Sequence, residues 1–73
     1  MHQDSNSPAK QLMLKRLIDL KNNLRQKIDS EILPRIKDER ISKKTKELLQ
    51  ERMDDLEKSI REIALLEQRL NRL

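Results

Sequence analysis

Apolar side chains recur at intervals of three and four residues in two series: Met13, Leu17, Leu20, Leu24, Ile28 and Ile32, then Leu49, Met53, Leu56, Ile60, Ile63, Leu66, Leu70 and Leu73. That spacing lays each series along one face of an α-helix. Strands prefer aromatic and β-branched residues, and tight turns prefer glycine. The chain contains no Phe, Tyr, Trp, Val or Gly, and Leu with Ile supplies 20 of its 25 apolar residues. The vocabulary is helical throughout, so the expected fold class is all-α.

The ends of the helices are marked by their capping residues. Ser7 followed by Pro8 places a side-chain acceptor at an N-cap and proline at the first helical position. Ser42 offers a second N-cap. Between them stands Pro34, which in a regular helix would clash with the Ser30 carbonyl and push Leu33 toward extended geometry. The apolar rhythm also breaks there, with a five-residue step from Ile36 to Ile41. The expected organisation is a flexible polar tail over 1–7 and one domain over 8–73, with a helix over about 8–33, a connection over about 34–41 and a second helix over about 42–72. No Gly or Asn lies between residues 24 and 70 to form a left-handed C-cap. The alternative is therefore one long helix kinked at Pro34.

Charge favours the folded arrangement. Residues 10–27 carry six basic side chains and one acid, net +5, whereas residues 48–65 carry five acids and three bases, net −2. An antiparallel helical hairpin would set these segments side by side, each exposed pair contributing only a few tenths of a kcal/mol. Within the second helix Glu47, Glu51, Asp54, Asp55 and Glu57 come early and Arg69 and Arg72 last, a polarity that suits the helix dipole. With Leu49 at heptad position d, the residues Met53, Leu56, Ile60 and Ile63 fill a and d, and the next a position is Glu67. The stripe is therefore expected to shift register toward Leu66 and Leu70. Apolar doublets at Leu17 with Ile18, Leu48 with Leu49 and Leu65 with Leu66 widen each stripe beyond what one partner helix covers. The hairpin is accordingly expected to complete a coiled-coil-like bundle with another chain, either a second copy or a different protein.

Several function classes are excluded or disfavoured on chemical grounds. A chain of 73 residues is one small domain at most, and without cysteine it has no disulfide, thiolate metal site or catalytic thiol. Missing cysteine and the lack of any long apolar run lead to an expectation of a soluble intracellular protein. Glycine-rich phosphate loops are ruled out by composition. The single histidine, His2, lies in the patternless polar start, and no hydroxyl has a base at a spacing that would activate it. Asp54, Asp55 and Glu57 scatter around a helix rather than converging as oxygen ligands. No catalytic residue, metal, cofactor, small-molecule substrate or membrane partner is expected.

What remains is interaction. The expected partner interface is Leu17, Leu20, Leu24, Ile28, Met53, Leu56, Ile60, Ile63, Leu66 and Leu70, acting in an assembly, adaptor or scaffold subunit. The alternative is a small basic nucleic-acid-binding regulator, similar in general design to dimeric RNA-binding hairpins. Net charge is +4, pI is near 9.7, and Arg40, Lys43, Lys44 and Lys46 fall within two turns as candidate phosphate contacts. No aromatic side chain is present to stack on a base.

Overall fold

The computed structural model describes residues 7–73. The expected tail over 1–7, His2 included, lies outside these residues apart from Ser7. The described chain is helical, with no strand: α1 spans Pro8–Lys27, a π-helical turn spans Ile28–Ile32, α2 spans Leu33–Ile36 and α3 spans Lys43–Asn71. Both serine caps form. Ser7 Oγ accepts from the Lys10 backbone N–H at 3.2 Å and Ser42 Oγ accepts from that of Thr45 at 3.2 Å.

Helical geometry does not stop at Pro34. It passes through the proline to Ile36, and the non-helical stretch comes afterwards, at residues 37–42. The reason lies one turn earlier. Proline conflicts with the carbonyl four residues back, and the π turn replaces that spacing with bonds of five residues, such as Leu33 N–H to the Ile28 carbonyl. Ser30 Oγ also donates to the Gln26 carbonyl at 2.6 Å, a side-chain bond at the widened turn. The extra residue has a second effect. Continued at heptad spacing from Ile28, a regular helix would bring Glu31 and Arg35 onto the inner face, whereas the π turn brings Ile32 and Ile36. Ile32 is only 2% exposed, the most buried apolar side chain described.

The connection needs no left-handed residue, and no described residue has positive φ. Asp38 makes the turn instead. Its Oδ1 accepts the Arg40 backbone N–H at 2.9 Å, an Asx turn that a carboxylate can form without glycine. The Arg40 guanidinium closes on the same carboxylate, Nε to Oδ1 and Nη2 to Oδ2, both at 3.1 Å.

Helices α1 and α3 pack along one another, and the π turn and α2 also touch α3. Lys10 in the first turn of α1 reaches the carbonyl of Asn71 in the last turn of α3 at 3.5 Å. At the other end Ile28 and Leu33 share a groove with Met53 and Ile60. The chain measures 60 × 16 × 12 Å with a radius of gyration of 16.9 Å, where a compact domain of this length has about 11 Å. This is a single layer of helices. Among the described residues the buried apolar side chains are Ile28, Ile32 and Ile63.

Candidate interaction surface

The seam between the two long helices follows a regular heptad. On α1 and the first residue of the π turn the buried or half-buried side chains are Lys10, Leu14, Leu17, Lys21, Leu24 and Ile28, at steps of four and three. On α3 they are Lys46, Leu49, Met53, Leu56, Ile60, Ile63, Glu67 and Leu70, with the small Ser59 and Ala64 beside them. Both faces therefore keep the 3.5-residue period that lets side chains of one helix enter gaps in the other.

Two features of this seam differ from the apolar pattern. The register does not shift toward Leu66. Glu67 holds its heptad place on the inner face, and Leu66 is left 48% exposed. On α1 the seam takes Leu14 and Lys21, while Met13 and Leu20 stay outside at 54% and 47% exposure. The reason in both cases is an ion pair between the Lys21 ammonium and Glu67 Oε1, whose side chains are 20% and 15% exposed. Lysine can bury its methylene stem along an apolar seam, and Glu67 meets its charge there. A search for apolar residues alone passes over both positions. Their heptad spacing with Leu14, Leu24, Ile60 and Ile63 was the available signal.

The ten residues expected at a partner interface therefore divide. Ile28 and Ile63 are buried, and Leu17, Leu24, Met53, Leu56, Ile60 and Leu70 are half-buried, along the face where α1 and the π turn meet α3. Leu20 and Leu66 are exposed. Other large apolar side chains share that exposure, namely Leu12, Met13, Ile18, Leu48, Leu65 and Leu73. Near the start of α1 and the end of α3, the exposed Met13, Leu66 and Leu73 line an open groove together with the half-buried Leu17 and Leu70 and with Arg16 and Arg69. Further along, a second groove is lined by Ile28, Leu33, Met53 and Ile60 and carries both signs of charge, Arg25 and Arg61 with Asp29 and Glu57.

The four candidate phosphate contacts separate as well. Arg40 is engaged by Asp38, and Lys46 is half-buried on the seam. Lys43 and Lys44 are exposed in the first turn of α3. That turn contains no acid, so the expected match between charge and dipole fails at this end: the acids begin at Glu47, beyond the positive pole. The hydrogen bonds from Arg40, through its side chain first and its backbone second, hold the Asp38 carboxyl below the usual aspartate value, and the Lys46 charge adds to the effect.

Among the described residues no group of three or more His, Cys, Asp or Glu is placed to hold a metal ion. No helix of the described chain is long and apolar enough to cross a membrane. Compared with protein-family models, with curated proteins and with solved structures, the chain has no match in any of the three.

Proposed function

We propose that this chain is a protein–protein interaction module, an antiparallel helical hairpin that completes a coiled-coil-like bundle with another helical chain. The open apolar groove of Met13, Leu17, Leu66, Leu70 and Leu73 carries this reading. A single layer of two helices leaves each helix one uncovered side, and burying a Leu or Met from that side is worth about 1.5–3 kcal/mol. Lys10 at the carbonyl end of α3 supports the antiparallel pairing, because a cation is favoured at the negative pole of a helix.

The reading separates seam residues from docking residues. Leu24→Glu or Ile60→Glu places a charge in the contact between α1 and α3 and should remove most of the helical circular dichroism, together with association. Leu66→Glu alters an exposed position and should keep that signal while removing association. Sedimentation equilibrium of the chain alone, and affinity capture from a lysate with mass spectrometry, provide the association readout. A Leu66→Glu variant that self-associates and captures the same proteins as the parent would defeat the proposal.

A nucleic-acid regulator is the second reading, and Lys43 with Lys44 in an acid-free first turn is the observation in its favour. Against it, Arg40 is already paired with Asp38 and Lys46 is half-buried on the seam. Binding to duplex or structured RNA that falls steeply between two salt concentrations, and disappears on Lys43→Gln/Lys44→Gln, would restore it.

A further inference from the structure

We infer that the groove of Met13, Leu17, Leu66, Leu70 and Leu73 is the docking site for an acidic amphipathic helix of another protein; this rests on the interaction-module reading above. The argument is one of charge. The ionisable residues lining this groove are Arg16 and Arg69, both exposed and neither ion-paired among the described residues. The neighbouring groove at Ile28 and Met53 sets two arginines against Asp29 and Glu57, so its rim is balanced. Of these two grooves the first combines apolar walls with lining charges of one sign, and Arg69 also lines an adjoining groove that contains Glu62. A helix bringing leucines to Met13, Leu66 and Leu73 would carry its flanking residues past Arg16 and Arg69. Glutamates there gain two ion pairs, and lysines meet like charge.

A second copy of the chain fits poorly. Two grooves packed face to face would bring arginine against arginine, because a two-fold contact uses the same patch on both sides. The chain's own acidic stretch cannot fill the groove either. From Lys43 to Glu62 the exposed large apolar side chains reduce to Leu48, so Glu51, Asp54, Asp55 and Glu57 border no apolar stripe that could enter it.

Two synthetic peptides of about 14 residues, long enough to span roughly 21 Å as helices, provide the test. Both carry Leu at positions i, i+3, i+4 and i+7; one has Glu at the flanking positions and the other Lys. Calorimetric titration of the full chain should show the Glu peptide binding about tenfold more tightly than the Lys peptide, with the preference shrinking as salt rises. Leu66→Glu should abolish binding without changing helicity, and Arg16→Glu/Arg69→Glu should reverse the preference between peptides. Equal binding of the two peptides, or binding of neither, overturns the inference. Sedimentation of the chain alone distinguishes the remaining case: a dimer lost on Leu66→Glu means that a second copy occupies the groove, which ends the acidic-partner inference and leaves the interaction module standing.

Discussion

Lys21 and Glu67 meet inside the seam, where most of the positions above and below them on α1 and α3 are filled by Leu, Ile or Met. Glu67 Oε1 has no contact with solvent, and the Lys21 ammonium is the charge beside it. A polar pair at one heptad level costs stability relative to a pair of leucines, but it can be satisfied in only one alignment of the two helices. A slip of one turn would leave both charges facing apolar side chains.

That relationship predicts asymmetric mutant behaviour. Glu67→Ala strands the Lys21 charge in the seam and should cost about 1–3 kcal/mol, less than for a fully buried pair because both side chains retain some exposure. Lys21→Leu/Glu67→Leu should be neutral or stabilising. Urea unfolding at fixed protein concentration checks both. A Glu67→Ala chain with an unchanged midpoint would show that the pair carries no energy.

The π turn and Pro34 form a second coupled pair. Removal of Asp29 restores α spacing and would still bring Ile32 and Ile36 to the seam, but it returns the proline ring to its clash four residues back. The deletion should therefore destabilise the parent by about 3 kcal/mol and be tolerated in a Pro34→Ala background. Thermal melts of the four chains measure the coupling. Additive effects would mean that the wide turn does not exist to accommodate the proline.

At the start of α3, Ser42 is the sole polar cap of a turn whose charges are all positive. Ser42→Ala should lower stability by about 1 kcal/mol. Ser42→Asp should raise it by a few tenths, since a carboxylate caps the same N–H and offsets Lys43 and Lys44 at the positive pole. The order Asp above Ser above Ala in melting temperature is the expected result.

Asp38 titrates below its ordinary value of 3.8 because Arg40 donates to its charged form. A depressed folded value means that the contribution is complete above 3.8 and is lost as pH falls through the lower folded value. Asp38 is half-buried in the connection and pairs there with Arg40, so the effect belongs to the connection and not to the helices. Carboxyl carbon shifts followed by NMR should show Asp38 titrating below the ordinary aspartate value, and Arg40→Gln should raise it toward that value. An Asp38 midpoint unmoved by Arg40→Gln would remove the guanidinium clasp as the cause of the depressed value.

Apolar periodicity, the absence of glycine and aromatics, and the two serines at Ser7 and Ser42 were sufficient to determine that the chain is helical and where its two long helices begin. These are local properties: hydrogen bonding to a nearby N–H and a face defined by residues three and four apart are written within a few residues of the chain. The fate of Pro34, the heptad place of Glu67 and the exposure of Leu66 required the tertiary structure. Pro34 alone argues for a break, and only the neighbouring π turn, made worthwhile by burying Ile32, lets the helix pass through it. Glu67 alone argues for a register shift, and only Lys21, 46 residues away in sequence, makes a carboxylate acceptable on the inner face. Which leucines remain for a partner depends in turn on that pairing, because a helix has one circumference and a side chain used in the seam is no longer available outside it.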